Sequence, residues 1–266
     1  MLAMRRWLTV EMHYPVPAAG RVAGVIRVAA IITAGAVALA GCSSKSTTSK
    51  STSTPANTSS TTSQTTSTTT TPPPPPTVAP DHLSSLLLVP QEGDPIMGAN
   101  GMQDIGGFGS PDTNAFTMSK PECLGAAHIV QPSVYEDSGY TGILFDVEHE
   151  PGNRYTHSIE QAVTSCPSAD QALAFVTGQV GKWKACAGQN VTDSLKGAST
   201  SWTFGELVGD APKIAMRYNR HNARGWTCQR ALSAVMNVVI DVKACAFKID
   251  NEGIEVADKI AAKAAQ

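Results

Sequence analysis

The chain has 266 residues, with 20 Lys and Arg against 22 Asp and Glu, which gives a formal net charge of −2. Residues 81–266 carry 14 of the basic and 21 of the acidic side chains, so this part has a net charge of −7. Such an acidic domain excludes nucleic acid as the expected partner, because phosphates require compensating Lys and Arg, and anionic lipid headgroups should repel it. Its mixture of apolar and charged residues is that of one globular domain with a sizeable core.

The N-terminal residues predict an exported lipoprotein. Basic residues precede the apolar segment 28–40, VAAIITAGAVALA, which is too short to serve comfortably as a permanent membrane helix. A basic region, an apolar run and small residues at its end are the three parts of a secretory signal. The sequence LAGC at 39–42 resembles the bacterial lipobox, in which the cysteine is acylated and the peptide is cut before it. We therefore predict a signal peptide over residues 1–41 and lipidation of Cys42, with a plain signal peptide or an N-terminal membrane helix as the alternatives.

Residues 42–80 are predicted to be the lipidated cysteine followed by a disordered tether. Residues 43–80 contain no aromatic residue and are dominated by Ser, Thr and Pro, so they cannot bury enough apolar surface to offset the entropy of ordering. As a flexible coil they would reach roughly 35 Å. Two or more acyl chains would hold the protein at the outer face of the cell membrane. The tract is a candidate for O-glycosylation, with an unmodified linker as the alternative.

The first half of the domain, which we place at residues 81–266, is predicted to hold few regular elements. Asp81 can cap a short helix, and residues 90–120 predict mainly loop because Gly, Pro, Asp and Asn are frequent. The segment TGILFDVEHE, from Thr141, predicts a strand. A longer helix begins near Ser168 and carries one buried stripe at helical spacing: Ala172, Phe175, Val176, Val180 and Trp183.

Two hairpins are predicted in the second half. SWTFGEL and KIAMRYN flank Gly209-Asp210, and GWTCQRAL is followed by NVVIDVKACAF, so each pair predicts two neighbouring strands. A helix from about Ile254 closes the chain. This order predicts an α+β fold in which a mainly antiparallel sheet is packed with helices.

Export makes disulfides the expected state of the five cysteines beyond Cys42, which are Cys123, Cys166, Cys186, Cys228 and Cys245. Cys228 and Cys245 fall on the two arms of the second predicted hairpin, where opposite residues are close enough for a bridge. The same register sets Arg230 against Lys243. Either Asp241 relieves this clash diagonally, or the register is offset.

A bridge between Cys123 and Cys186 would attach the loop-rich first half to the long helix. Several other arrangements are possible for two bridges among five cysteines. The remaining Cys166 is then a free thiol candidate, either buried and inert or reactive. CxxC spacing is absent, so zinc and thioredoxin-like chemistry have no support.

The segments PSADQALAFVTGQVGKWKACAG and CQRALSAVMNVVIDVKAC resemble the PknH-like extracellular sensor domains of mycobacteria, over residues 81–266. Some members of this family are free-standing lipoproteins. The resemblance implies an antiparallel sheet with helices around a central cleft for an unidentified ligand, and two disulfides, Cys123 with Cys186 and Cys228 with Cys245. Cys166 departs from the usual pattern. The kinase part is missing, so acyl chains would replace a transmembrane helix.

Catalytic motifs are absent: neither HExxH nor GxSxG nor a phosphate loop occurs. In the strand that contains Asp146, Glu148 and Glu150, alternation places the three acids on one side and His149 on the other. This predicts a solvated acidic face. His157 could approach from a neighbouring strand, so a metal site is the less favoured interpretation. We predict no catalytic residue, metal or cofactor.

Four aromatic residues of the predicted strands are candidates for a ligand pocket, Trp202, Phe204, Tyr218 and Trp226. The alternative is that most of them belong to the core. The sequence as a whole favours a lipid-anchored, extracytoplasmic sensor domain that binds a small molecule, lipid or glycan of the cell envelope. A module that docks on another envelope protein is the second hypothesis, and an enzyme is the third.

Overall fold

A computed structural model describes residues 76–112 and 114–266. The predicted signal peptide, Cys42 and nearly all of the predicted tether therefore lie outside the described residues.

The described residues form one antiparallel sheet in which the strands have the order β1-β3-β4-β9-β8-β7-β6-β5-β2. The strands are β1 (Gln103–Phe108), β2 (Thr117–Met118), β3 (Gly142–His149), β4 (His157–Ser165), β5 (Asn190–Leu195), β6 (Ala198–Asp210), β7 (Lys213–Arg220), β8 (Thr227–Val235) and β9 (Val238–Ala246). β9 lies near the centre and is buried along its whole length, which explains why its sequence is apolar at most positions.

The helices are α1 (Pro90–Met97), α2 (Leu124–Ala127), α3 (Pro132–Tyr135), α4 (Ala169–Cys186) and α5 (Glu252–Ala264), with short 3-10 helices at Pro80–Ser85 and Pro121–Cys123. In the part of the chain that the structure describes, no helix combines the length and the apolar character needed to cross a membrane.

α4 and α5 cover opposite faces of the sheet, which we call the α4 face and the α5 face. Alternation along β9 supplies both cores: Val239 packs with α4, whereas Ile240 and Val242 pack with α5. α4 begins where predicted, since Ser168 Oγ accepts a hydrogen bond from the Gln171 amide at 3.3 Å. The predicted fold class is confirmed.

The two predicted disulfides are also present. Cys228 and Cys245 are directly opposite each other in β8 and β9, with a Cα separation of 4.1 Å. Cys123 is bonded to Cys186, with a Cα separation of 5.7 Å. Cys166 is a free and buried cysteine, and burial raises the pKa of its thiol, which favours the inert interpretation.

The prediction of mainly loop over residues 90–120 is wrong, because this segment contains α1, β1 and β2. Pro90 occupies the first position of α1, and Gly98 ends the helix in a left-handed conformation with φ 65°. Pro90 therefore begins a helix and Gly98 ends it, so neither residue excludes a helix from this segment. Asp81 lies inside the first turn of its 3-10 helix, so it is not the N-cap residue, which is Ala79.

Candidate ligand-binding site

Two buried ion pairs lie on the α4 face beneath α2 and α3. The register of β8 and β9 is not offset, so Arg230 is directly opposite Lys243. Arg230 Nη2 lies 2.7 Å from Asp241 Oδ1, and Lys243 Nζ lies 2.7 Å from Glu160 Oε1 of the neighbouring β4. The predicted relief by Asp241 is therefore present, and Glu160 neutralises the second cation.

The Arg230–Asp241 pair also holds the segment that covers it. Asp241 Oδ2 accepts hydrogen bonds from the Val130 amide at 3.1 Å and from the Tyr135 hydroxyl at 2.8 Å. Arg230 Nη2 donates to the carbonyl of Gly125 at 3.0 Å. Val130 has φ 43°, which is uncommon for a β-branched residue. The covering segment is thus fixed by polar bonds to the sheet, and this region is closed.

Three of the four predicted pocket residues belong to this closed core. Trp202, Phe204 and Tyr218 are each at most 5% exposed. The Trp202 indole donates to Asp193 Oδ2 at 3.2 Å, and the Tyr218 hydroxyl donates to the carbonyl of Ala127 at 2.8 Å. Their rings point to the face that α4 and α2 cover, so they fill the core and do not line a cavity. The core alternative holds for these three.

A buried histidine completes this core. His128 Nε2 lies 3.0 Å from Asp193 Oδ2, and the ring of Phe116 stacks on the imidazole at 3.7 Å. Burial lowers the pKa of His128, although the hydrogen bond to Asp193 acts in the opposite direction. The imidazole is therefore held neutral as a structural hydrogen-bonding group.

Trp226, the fourth predicted pocket residue, lies in a different environment. It is half-buried and makes an edge contact with Phe247 at 5.3 Å and with Tyr155 at 5.9 Å, and Tyr155 stacks on His149 at 4.2 Å. We call these four residues, His149, Tyr155, Trp226 and Phe247, the aromatic row. The row lies at the end of the sheet where β3 and β9 end and where the β7–β8 turn joins its two strands. Phe247 is 51% exposed.

Phe247 of the aromatic row also lines a groove of about 810 Å³ on the α5 face. The floor comes from β7 and β8, one wall from β6, and the other wall from residues 247–251 and the start of α5. Its apolar lining includes Val208, Phe247, Ile249 and Ile254. Val208 is 56% exposed and faces this space. Eight of its 14 lining residues are polar or charged, so the groove offers a ligand both apolar contacts and hydrogen-bonding groups.

Gln229 fixes the shape of the groove. It is only 2% exposed. Its Nε2 donates to the carbonyl of Asp250 at 2.9 Å, and its Oε1 accepts from the Ile254 amide at 3.2 Å. Arg217 Nη1 lies 3.2 Å from Asp250 Oδ1. These bonds hold the wall segment against the sheet, so the groove is preformed.

The predicted solvated acidic face is wrong. α1 and the preceding segment cover that side of β3, and Glu148 is completely buried. Burial, with a smaller contribution from Asp146, raises the pKa of Glu148 to about 8. Burial and the nearby Asp104 raise the pKa of Asp146 to about 7. Glu148 Oε1 accepts a hydrogen bond from Gln161 Nε2 at 3.3 Å.

Glu150 and His157 meet, but as a pair. Glu150 Oε1 lies 2.6 Å from His157 Nδ1, and Glu150 also accepts from the Thr156 hydroxyl at 2.8 Å. Within residues 76–112 and 114–266, no group of three His, Cys, Asp or Glu side chains is placed to hold a metal ion. The structure thus brings His157 near the acids as anticipated, in a two-residue arrangement.

Sequence reasoning missed Phe247 and Val208 as site residues. Both were within predicted strands or at their ends, where an apolar residue is expected to be buried. The available signal was Gly205-Glu206, where the β6–β7 pairing shifts between Phe204 and Leu207, so that Leu207 packs against the core and Val208 is exposed.

Comparison with known proteins shows the family. The profile of the PknH-like extracellular domain matches residues 78–263. The serine/threonine-protein kinase PknH of Mycobacterium tuberculosis H37Rv is 42% identical over 186 residues, which are 70% of this chain and 30% of the kinase. The kinase of the same name from Mycobacterium bovis is also 42% identical, over 70% of this chain and 31% of the kinase. The chain thus spans less than a third of the length of these relatives.

The crystal structure of the extracellular domain of PknH from M. tuberculosis matches with a TM-score of 0.70 at 41% identity, covering 71% of this chain and 98% of that chain. The sequence match and the shared fold agree with each other. The chain belongs to the PknH-like extracellular domain family.

Proposed function

We propose that this protein is a lipid-anchored sensor domain outside the cytoplasm, and that the groove with its aromatic row binds a small molecule of the cell envelope. The observation that carries the proposal is the preformed groove of about 810 Å³, into which two exposed apolar side chains project. Apolar side chains kept in water beside a concave surface are typical of binding sites.

A ligand site is favoured over a flat protein-docking surface by the distribution of exposed apolar residues. Among the described residues, the large apolar side chains with more than 40% exposure are Val89, Leu173, Val208 and Phe247. Two of these four line the groove, and the other two lie elsewhere in the fold. Apolar exposure is therefore concentrated at a concavity.

The binding test is incubation of the purified protein with an envelope extract, followed by native mass spectrometry. The Val208→Ser, Phe247→Ala variant should lose most of the bound species, because the apolar walls are removed. Leu173→Ser is the matched control, since it removes an exposed apolar residue from α4. Equal retention by both variants would argue against the groove.

The anchor is proposed from the lipobox resemblance at Cys42. Growth of an expressing mycobacterial host with a labelled palmitate precursor should label the wild-type protein and leave Cys42→Ser unlabelled, and the variant should leave the membrane fraction. Full labelling of Cys42→Ser would place the acyl chains elsewhere and contradict the proposal.

A further inference from the structure

Of the 14 basic side chains in residues 81–266, nine have no carboxylate partner among the described residues, and four of these nine lie at the end of the sheet that carries the aromatic row. In the described part of the chain, Lys213, Arg217, Arg230, Lys243 and Lys263 each lie within 4.0 Å of a carboxylate oxygen. By contrast, no carboxylate lies that close to four cations next to the row: Arg154, Arg220, Arg224 and Lys248. A domain with a net charge of −7 thus keeps four uncompensated cations at one end of its sheet.

Each of these cations lies at the same end of the sheet as the row, in or beside the β3–β4 loop, the β7–β8 turn or the segment after β9. Arg154 directly precedes Tyr155, and Lys248 directly follows Phe247. Arg224 lies in the β7–β8 turn with φ 53°, two residues before the ring at position 226. The four cations therefore share one end of the sheet with the row.

Arg220 is the most closely integrated of the four. Its amide donates to the carbonyl of Trp226 at 2.9 Å. Burial raises the pKa of Tyr155, and the charge of Arg220 acts in the opposite direction. Arg220 is half-buried, so part of its stem is held against the row while its charge stays available.

Several acids near this end already have a basic partner. Glu150 is paired with His157 at 2.6 Å, and Glu160 is paired with Lys243 at 2.7 Å. On the groove side, Asp250 is paired with Arg217 at 3.2 Å, and Glu206 lies on the opposite wall. These three acids are therefore engaged elsewhere, which leaves the four cations of this end without a carboxylate of the described residues within 4.0 Å, although the domain as a whole is acidic.

We infer that the aromatic row and its four cations bind a phosphate-bearing sugar or polyol. Guanidinium groups match phosphate oxygens in planar, bidentate contacts. The rings of Trp226 and Phe247 offer an apolar surface to the ring of the ligand, and Phe247 connects this surface to the groove. The inference rests on the proposed function and adds the chemical class of the ligand.

A nucleic acid would meet the same kinds of side chain but fits less well. Binding of a single strand uses a basic groove that follows several successive phosphates. Here the free cations occupy one end of the sheet, and the net charge of −7 would repel a polyanion beyond it. A single phosphate group on a small ligand requires only the local patch.

The test uses the full chain in micelles of a neutral detergent and isothermal titration calorimetry. Inositol 1-phosphate should bind about tenfold or more tightly than inositol, because charged hydrogen bonds are lost without the phosphate, and added salt should weaken binding. Phosphatidylinositol incorporated in the micelles, compared with phosphatidylcholine, distinguishes the source. Tighter binding of the lipid than of the free headgroup assigns a lipid ligand, and equal binding assigns a soluble one.

Matched variants localise the effect. Arg220→Gln with Arg224→Gln should weaken binding of inositol 1-phosphate about tenfold or more, and Arg154→Gln with Lys248→Gln should do the same without touching a half-buried residue. Lys182→Gln with Lys184→Gln removes the same charge from the exposed surface of α4 and should leave binding unchanged.

Three results would overturn the inference: equal binding of inositol and its phosphate, equal losses in the α4 control, or tighter binding of a single-stranded oligonucleotide. If the envelope extract yields an uncharged ligand that Val208→Ser, Phe247→Ala abolishes, the phosphate assignment fails and the proposed function stands. If the phosphate probe binds and the extract yields nothing in the groove, the proposed function fails by itself.

Discussion

At the residue scale, the buried charges of the α4 face cancel in two pairs. Arg230 and Asp241 are each at most 2% exposed at the side chain, so each depends on the other for its solvation. The same carboxylate accepts the amide of Val130, which holds the covering segment in a left-handed conformation. Asp241 thus binds both the buried guanidinium of Arg230 and the segment that covers it.

Asp241→Asn should destabilise the protein by about 3 kcal/mol, because it leaves Arg230 buried without a counter-charge. The control is Asp258→Asn, which removes the carboxylate partner of Lys213. The Lys213 side chain is 44% exposed, so this change should cost at most about 0.5 kcal/mol. Urea unfolding at neutral pH measures both. Similar losses in the two variants would show that burial does not set the energy of the pair.

Burial of Glu148 makes the free energy of unfolding decrease as the pH rises. Its pKa in the folded state is about 8, above that of an unfolded glutamate, so the folded state binds more protons between the two values. Stability is therefore complete at low pH and falls as pH rises through about 8. Glu148→Gln should match the wild type near pH 5 and remain about 2 kcal/mol more stable than it near pH 9.

Thermal unfolding from pH 5 to pH 9 is the measurement for Glu148→Gln. Asp146 has a pKa of about 7, so the Glu148→Gln variant should still lose some stability as the pH rises, but less than the wild type. His128 has the opposite sign, because its lowered pKa makes the unfolded state bind more protons below about 6.5. Parallel stability curves for variant and wild type would show that Glu148 is ionised throughout.

At the element scale, helix α1 is placed by a glycine. A Cβ at Gly93 would lie 2.8 Å from Glu148 Oε2 and 2.9 Å from Ile159 Cδ1. Only a residue without a side chain lets α1 approach β3 and β4 this closely. The close approach is what buries Glu148, so the pH response at the residue scale originates in the packing of an element.

Gly93→Ala should therefore destabilise the protein by about 1–3 kcal/mol through overpacking. Gly178→Ala in α4 is the matched change, since nothing lies within 4 Å of a Cβ at that exposed position. It should stabilise by about 0.5–1 kcal/mol through helix propensity. The two variants should shift the urea midpoint in opposite directions, and a shift of the same sign would contradict this account of α1.

At the scale of the whole molecule, the chain enters the domain far from the proposed site. The Val78 amide donates to Asn237 Oδ1 at 2.7 Å, and Asn237 Nδ2 donates to the Val78 carbonyl at 3.0 Å. Asn237 lies in the β8–β9 turn, whereas Trp226 and Phe247 lie at the other ends of these strands. The separation along β9 is about 30 Å. Val78 thus lies at the end of the sheet opposite the aromatic row.

The two disulfides also act on the whole chain. Cys123–Cys186 closes a separation of 63 residues, and Cys228–Cys245 closes one of 17 residues. In the chain-entropy model the longer loop contributes about 1 kcal/mol more stability. The double alanine variant of Cys123 and Cys186 should accordingly lose more stability in urea than that of Cys228 and Cys245. The reverse order would indicate residual structure in the unfolded chain.

The sequence by itself determined the features that depend on local periodicity. The stripe of α4, the two hairpins of β6–β9 and the bridge between Cys228 and Cys245 follow from spacings of 3.6 and 2 residues, which the backbone imposes on any chain. The family resemblance supplied the second bridge, Cys123 with Cys186.

Only the tertiary structure decided what covers each face. Glu160 neutralises Lys243, from which it is 83 residues distant in sequence. Helix α1 buries an acidic face that strand alternation alone would leave in water. Gln229 holds the wall of the groove against the sheet by hydrogen bonds. Trp202 and Trp226 occupy similar positions in the strand pattern, yet Trp202 is buried in the core and Trp226 is half-buried in the aromatic row. Burial and ion pairing depend on elements that are distant in sequence, and a local residue pattern does not determine which of these elements packs against a strand.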